Sequence, residues 1–268
     1  MKYKISMIVA CITWSTVCNN EVAALLKSIG SKEPIKTIQE KLTAALKIDD
    51  NINNITTKNG NNLLHLVVQK NRPDIIPLLI SKKIHVNKQN NKKYTPLMFA
   101  VIEQNEKAVK ELLKAPNIDV NLTESNGDFA LYMAIARKNK NIAELLITAK
   151  ADVNQKAPDK STPLHNAAFY GNADMVQLLL QHNATVDAIN NTGYTPLAYA
   201  IDRNHLDVVK NLVAHGAHST IQYPTGQTPL SIANDKKHEE IYHFLISKNI
   251  PALYETLHKD LLILAQHI

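Results

Sequence analysis

The chain of 268 residues is 45% hydrophobic and 20% charged, and it contains only 7 glycines and 11 prolines. This composition is typical of a soluble globular protein and excludes a disordered chain without a packed core. The net charge is +6, and it falls by two, to +4, if Lys2 and Lys4 leave with a cleaved N-terminal segment.

The N-terminal segment, 1–18, has the pattern of a secretory signal peptide. Lys2 and Lys4 precede an apolar run from Ile5 to Val17, and the small residues near Cys18-Asn19 suit cleavage there. The apolar run is too short to span a bilayer as a helix. We therefore expect segment 1–18 to direct export to the periplasm or outside the cell. The alternative is an extra capping helix on a protein that stays in the cytoplasm.

Both cysteines, Cys11 and Cys18, lie in this first segment. A mature chain beginning at Asn19 would contain neither a thiol nor a disulfide, so it would be indifferent to the redox state of its compartment.

Residues 19–58 are predicted to form capping helices or a degenerate repeat. The stretch 34–53 looks like the second helix and ending of a repeat, with Val22–Ile29 as its partner helix. The end of the chain, 249–268, is predicted to be a C-terminal capping helix, because it begins near Pro251 and places leucines along one stripe. Terminal units of a repeat array need one face for the neighbouring repeat and one for water.

The sequence between these predicted caps repeats with a nearly fixed period. One position of the pattern recurs along it and is occupied by His65, Met98, Tyr132, His165, Ala198 and Ser231. The steps between these residues are equal except for the second, which is longer by one. The longer step arises at Ala115-Pro116-Asn117, where the loop between repeats has an extra residue. A fixed period of this length predicts a repeat architecture.

Each repeat predicts a tight turn followed by two short helices. Pairs such as Asn59-Gly60 supply the positive φ of a hairpin turn. In Thr-Pro-Leu, Thr162 can cap a helix and Pro163 suits its first position. Apolar residues then recur at helical spacing on both sides of a break near Gly171-Asn172. A unit this small cannot bury a face alone and needs its neighbours.

These residues resemble the ankyrin repeat family. The family pattern, Gly-x-Thr-Pro-Leu-His-x-Ala-Ala followed by Val-x-x-Leu-Leu and Gly-Ala-x-Val-Asn, is matched best at 160–187, with good matches at 93–121, 193–217 and 226–248. The resemblance covers about 59–248. It implies an all-α ankyrin-repeat solenoid of paired antiparallel helices with projecting β-hairpin loops.

Two repeats depart from the family pattern at the start of their first helix. Phe129-Ala130 replaces Thr-Pro in one, and the other has Asn62-Leu63 at this place. We expect both helix starts to be less sharply defined than the others.

Motifs that would indicate catalysis or a bound cofactor are absent from the sequence. It contains no phosphate-binding glycine-rich loop, no paired CxxC, no HExxH and no GxSxG. The family resemblance implies that His65 and His165 make structural hydrogen bonds to neighbouring backbone. The histidines at 215, 218, 238 and 243 are close in sequence, but no carboxylate or thiol completes a tetrahedral metal site at suitable spacing. We expect neither an enzyme nor a metal site.

A local excess of lysine lies between the first two repeats. It comprises Lys82, Lys83, Lys88, Lys92 and Lys93. Such a patch could meet nucleic acid, an anionic surface or an acidic partner. Because Glu103, Glu106 and Glu111 follow closely, a solvated edge is the simpler interpretation.

The sequence is best explained by a monomeric protein-binding module without a cofactor. In the ankyrin family, partners usually meet the hairpin tips and the exposed ends of the first helices, which line the concave face. The corresponding candidates here are Tyr94, Ile102, Glu103, Asp128, Arg137, Phe169, Tyr170, Tyr194, Asp202 and Arg203. We expect Phe169, Tyr170, Arg137 and Tyr194 to form the centre of the groove, because aromatics and Arg dominate binding hot spots. Phe169 could instead pack sideways onto Arg137 or the next repeat.

Two further hypotheses concern the setting in which the protein acts. With a signal peptide, the chain resembles exported or effector-type ankyrin proteins of bacteria, some of which are directed at host proteins. The other hypothesis is that the chain is an accessory protein or an enzyme whose activity no sequence motif indicates.

Overall fold

The computed structural model describes residues 20–31, 33–46 and 52–248. The predicted signal peptide, 1–18, and the predicted C-terminal capping helix, 249–268, lie outside the described residues.

The described residues form short α-helices joined by tight turns. The helices are α1 (Asn20–Ile29), α2 (Ile35–Leu46), α3 (Leu63–Gln69), α4 (Ile76–Ser81), α5 (Pro96–Ile102), α6 (Glu106–Leu113), α7 (Ala130–Ala136), α8 (Lys140–Thr148), α9 (Pro163–Phe169), α10 (Ala173–Gln181), α11 (Pro196–Asp202), α12 (Leu206–Ala214), α13 (Pro229–Asp235) and α14 (239–248). The hairpins contribute only isolated bridges, Thr56 with Asn62 and Thr123 with Phe129, and no strand within the described ranges. The fold is therefore all-α, as predicted.

The chain divides into two compact units, the first ending at Ala151 and the second beginning at Asp152. In the first unit, α1 packs on α2, the first helices α3, α5 and α7 pack in sequence, and the second helices α4, α6 and α8 form a parallel layer. In the second unit, α9, α11 and α13 form one layer, and α10 packs beside α12. Each unit is thus a stack of antiparallel helix pairs.

Close approach of the first helices depends on small buried residues. All the first helices except α3 contain at least one fully buried alanine, as at Ala100, Ala134, Ala167, Ala200 and Ala233. The leucine of the Thr-Pro-Leu motif fills the space between layers, and both Leu164 and Leu197 have no exposed surface. The repeats are therefore held by an apolar core that runs through each unit.

Two threonines of the repeat motif cap their helices as the motif predicts, whereas the hydroxyl of Thr162, named in the prediction, lies 2.9 Å from His165 Nδ1 instead. The side-chain oxygen of Thr95 accepts the N–H of Met98 at 3.2 Å, and Thr195 accepts that of Ala198 at 3.3 Å. In each case the cap satisfies a backbone donor that has no partner within the helix.

The expectation of poorly defined helix starts is wrong at Asn62. Asn62 Oδ1 accepts the N–H of His65 at 3.2 Å, and Asn62 N–H donates to Nδ1 of His65 at 3.2 Å. Asparagine caps a helix as well as threonine does, and no proline is needed. Phe129 forms no side-chain cap, yet its helix still begins at Ala130, and the Phe129 ring is buried.

A contact outside the repeat pattern joins the N-terminal helix pair to the first repeat. Arg72 donates to the backbone oxygens of Ser31 at 2.8 Å and of Glu33 at 3.0 Å. Asp74 holds the guanidinium in place, with 2.8 Å between Arg72 Nη2 and Asp74 Oδ2. Hydrogen bonding to Arg72 lowers the pKa of Asp74. The α1–α2 pair is therefore docked on the first repeat as well as stacked beside it.

Candidate partner-binding surface

The two repeat histidines occupy the same environment in different units. His65 Nε2 lies 2.9 Å from the backbone oxygen of Tyr94, and His165 Nε2 lies 3.0 Å from that of Tyr194. A carbonyl oxygen only accepts, so each Nε2 must carry the proton. The Nδ1 of His165 then accepts the backbone N–H of Thr162 at 3.1 Å. The predicted structural role of these histidines is confirmed.

Burial keeps both imidazoles neutral. It lowers the pKa of His65 to about 4, and it also lowers the pKa of His165. Neither ring is placed to exchange protons with a substrate near neutral pH, since both hydrogen-bond within the framework.

An aromatic side chain of the following repeat covers each histidine. The Phe99 ring lies edge-on to His65 at 5.3 Å and to Tyr94 at 5.9 Å between centroids. Tyr199 repeats this geometry with His165 at 6.0 Å and with Tyr194 at 5.6 Å. The hairpin tyrosines are therefore anchored to the framework along one edge, and they remain half-buried.

In the second unit the aromatic contacts continue into a row of five rings, which we call the aromatic row. Its members, in order of contact, are Tyr170, Phe169, Tyr199, Tyr194 and Tyr223. Neighbouring centroids are separated by 5.2, 5.7, 5.6 and 5.7 Å. These distances are typical of favourable edge-to-face aromatic pairs. The row brings together three of the predicted binding residues, Phe169, Tyr170 and Tyr194.

The row has a buried end and an exposed end. Tyr223 is buried, and its burial raises the pKa of the phenol to about 12. Its hydroxyl pairs with Oγ1 of Thr195 at 3.2 Å, and Asn190 donates to the Tyr199 hydroxyl at 2.9 Å. At the other end, Tyr170 is 39% exposed. The Tyr170 hydroxyl has no hydrogen-bond partner among the described residues, so it can bond to a partner molecule.

Charged groups border the exposed end of the row. The Arg203 guanidinium carbon lies 4.2 Å from the Phe169 ring centroid, a cation–π geometry. Asp202 lies 3.5 Å from Arg203 Nε and 2.9 Å from Lys236 Nζ. The predicted residues Asp202 and Arg203 therefore belong to the same surface as Phe169 and Tyr170.

The packing of Phe169 agrees with the interpretation in which its ring packs sideways onto the next repeat. It is half-buried and lies against Tyr199 and Arg203 of the next repeat. Its ring therefore contributes to the interface between repeats as well as to the surface. Tyr170, its neighbour in sequence, is the more exposed of the two.

The remaining predicted residues lie in the first unit. Ile102 and Tyr94 are half-buried, and Glu103 and Arg137 are exposed at the ends of α5 and α7. Asp128 lies in the hairpin before α7, and its backbone N–H donates to Glu124 at 3.2 Å. Burial raises the pKa of Tyr94, and the Glu124 and Asp128 carboxylates add to this shift.

Two members of the row, Tyr199 and Tyr223, were not among the predicted residues. A signal for Tyr199 exists in the sequence: both repeats that follow a histidine-bearing repeat contain Tyr-Thr-Pro-Leu, then one residue, then an aromatic. No comparable signal distinguishes Tyr223, which lies in a turn.

The later histidines take part in separate contacts. His218 pairs with Asp187 at 2.5 Å, and His215 Nδ1 lies 2.8 Å from the backbone oxygen of Asn211. His238 Nε2 lies 3.4 Å from the backbone oxygen of Asp202. In the part of the chain that the structure describes, no three His, Cys, Asp or Glu residues are arranged to hold a metal ion.

None of the helices in the described ranges combines the length and the apolar character that crossing a bilayer requires.

Comparison with known proteins identifies the repeat. A family profile described as ankyrin repeats (three copies) matches residues 35–124, 131–223 and 190–260. Human transient receptor potential cation channel subfamily A member 1 is 37% identical over 75 residues, which is 28% of this chain and 7% of that protein. The chain therefore spans only a small part of that relative.

A solved structure is similar over most of the chain. The ankyrin repeat domain of Bcl-3, described as a unique member of the IkappaB protein family, superposes with a TM-score of 0.75. The match has 23% sequence identity and covers 86% of this chain and 100% of that one. At this level of identity the likeness shows the fold alone.

Proposed function

Because the chain belongs to the ankyrin repeat family, whose repeats are protein-interaction modules, we propose that it binds a partner protein through its hairpins and the ends of its first helices. It acts by recognition and not by catalysis, as a monomer and without a cofactor. The aromatic row is the observation that carries this proposal. It places Tyr170, which is 39% exposed, against Phe169, and the Arg203 guanidinium, paired with Asp202, lies over the Phe169 ring.

The chemistry of the exposed end suits a protein surface. Tyr170 offers a large rigid ring and a phenol hydroxyl, and Arg203 is already oriented by Phe169 and Asp202. Preorganised aromatic and Arg side chains lose little entropy on binding, and single residues of this kind often contribute about 2 kcal/mol or more. Arg137, Tyr94, Ile102, Glu103 and Asp128 extend the proposed surface in the first unit.

Affinity capture with the chain from Asn19 onward, followed by mass spectrometry, identifies the partner. Tyr170→Ala should then weaken binding by about 2 kcal/mol, or about thirtyfold, with an unchanged melting midpoint. Gln177→Ala, an exposed change on α10, is the matched control and should bind normally. Phe169→Ala should lower both affinity and stability, because the ring also packs on Tyr199. Unaltered binding by Tyr170→Ala would contradict the assignment.

We also propose that the protein is exported by its N-terminal segment, 1–18, with action on a host protein as a further step. The support is the order of Lys2 and Lys4, the apolar run and the small residues before Asn19. Fusion of segment 1–18 to alkaline phosphatase lacking its own leader tests this in bacteria. Periplasmic phosphatase activity, with loss of the leader by mass analysis, is expected. A fusion that stays uncleaved in the cytoplasm would favour the capping-helix alternative.

A further inference from the structure

The first unit has a cavity that is separate from the aromatic row. Its volume is about 550 Å³, within the range of roughly 300–1,000 Å³ found for ligand pockets. It lies where α4 ends and where the loop after α6 passes it. Its lining includes Ile80, Ile84, Val86, Pro116, Lys83 and His85. The apolar residues of this lining, which we call the floor, lie in the same cavity as the ammonium group of Lys83.

One wall of the cavity comes from the segment in which the second repeat departs from its neighbours. After the second helix, other repeats turn through a left-handed residue, such as Lys83 at φ 60° or Lys150 at φ 69°. Residues 114–118 contain no left-handed residue. The extra residue at Pro116-Asn117 replaces that turn, and both residues line the cavity. The extra residue that lengthens one step of the period therefore has a structural consequence, because its loop forms this wall of the cavity.

The lysines of this part of the chain are not neutralised, and one of them, Lys83, lines the cavity itself. None of the five lysines noted in the sequence pairs with a carboxylate of the described residues. All five are exposed, namely Lys82, Lys83, Lys88, Lys92 and Lys93. Two of the nearby glutamates are engaged elsewhere, because Glu106 pairs with Lys110 at 3.8 Å and Glu111 with Lys114 at 2.7 Å. The third, Glu103, is exposed at the end of α5 and pairs with none of these lysines.

An apolar floor beside unpaired ammonium groups favours a partner that offers negative charge and an apolar group together. Negative charge satisfies the lysines, and an aliphatic or aromatic side chain displaces water from the floor. A nucleic-acid duplex supplies the charge, but its aromatic bases are stacked inside it and do not reach the floor. A protein segment in which an apolar residue stands between Asp and Glu residues supplies both.

We propose that this cavity and its lysines bind an acidic segment of a partner protein, which inserts an apolar side chain between Ile84 and Pro116. This surface shares no residue with the aromatic row. A test of this proposal can therefore succeed or fail independently of a test of the proposed function above.

Fluorescence anisotropy of the full chain with a labelled peptide, Glu-Asp-Glu-Leu-Phe-Asp-Glu-Asp, tests the proposal. Binding should saturate and should weaken as salt screens the lysines. A peptide with Ala in place of Leu and Phe should bind at least about tenfold more weakly, because the cavity would stay unfilled. Equal binding of the two peptides would overturn the proposal.

Variants separate the cavity from general charge attraction. Lys82→Glu with Lys83→Glu, and separately Pro116→Lys with deletion of Asn117, should each weaken peptide binding about tenfold or more. Lys156→Glu with Lys210→Glu, an equal charge change at two exposed positions of the second unit, should alter it less than about twofold. Tyr170→Ala should leave peptide binding unchanged, which distinguishes this surface from the aromatic row.

Two results would show a different use of the lysines. If a DNA duplex or phosphatidylserine vesicles bind more tightly than the peptide, the patch is a polyanion site and the proposal is wrong. If the Pro116 variant keeps native circular dichroism and full peptide affinity, the cavity has no part in binding and the proposal is likewise wrong.

Discussion

At the residue scale, His65 links stability to pH. Its Nε2–H donates to the Tyr94 carbonyl, and Phe99 covers the ring, so protonation would bury a charge with no carboxylate beside it. The folded-state pKa of about 4 lies below the value of about 6.5 expected in the unfolded chain. The unfolded state therefore binds more protons than the folded state between these values, and stability must fall as the pH falls through that window.

We predict that the free energy of unfolding decreases by about 2 kcal/mol between pH 7.5 and pH 5 because of His65 alone. Urea melts of the wild type and of His65→Gln at both pH values measure this. The variant should be less stable at pH 7.5 but should lose less stability on acidification. If both proteins lose the same amount, the His65 imidazole does not carry the effect.

At the element scale, each repeat needs a left-handed residue at its hairpin. Four hairpins place glycine there, namely Gly60, Gly127, Gly193 and Gly226, whereas Lys93 (φ 60°) and Lys160 (φ 63°) fill it in the other two. A residue with a Cβ pays roughly 1–2 kcal/mol for this conformation. The two lysine hairpins are thus strained relative to the others.

Lys160→Gly should raise the free energy of unfolding by about 0.5–1 kcal/mol, because relief of the strain exceeds the extra entropy of glycine in the unfolded chain. Lys210→Gly is the matched control. Lys210 is exposed within helix α12, so this change should cost about 1 kcal/mol. Thermal melts that rank the two variants in the opposite order would contradict the argument.

Features set by neighbouring residues were predictable from the sequence, and features set by contacts between repeats were not. Thr-Pro-Leu locates helix starts because capping by Thr95 or Thr195 involves only the next three residues. Reliance on that motif produced the wrong expectation at Asn62, where a different side chain makes an equivalent cap.

In the candidate site, too, local features were predictable and contacts between repeats were not. The period placed Phe169 and Tyr170 at the end of a first helix, but it could not tell which ring is covered, because that depends on Tyr199 and Arg203 of the next repeat. The docking of Arg72 on Ser31 joins residues 41 positions apart and has no sequence pattern of its own.

At the scale of the whole molecule, stability comes from the continuous core within each unit. Leu164→Ala or Leu197→Ala should lower the free energy of unfolding by about 2–5 kcal/mol, since both side chains are fully buried. Lys92→Ala and Lys93→Ala should change it by no more than about 0.5 kcal/mol. Urea melts give the comparison, and lysine variants less stable than leucine variants would mean that the repeats are misaligned.

The same core predicts what happens when segment 1–18 is removed. The buried apolar residues of the described chain extend from Leu25 to Leu245, so they all follow this segment in the sequence. At the N-terminal end, α1 packs on α2, and Arg72 holds their connection to the first repeat. A chain that begins at Asn19 should therefore be monomeric by light scattering, strongly helical by circular dichroism, and no less stable in urea than the full chain. Aggregation or loss of helicity on removal of segment 1–18 would instead show that it covers the first helix pair, and would count against its role as an export signal.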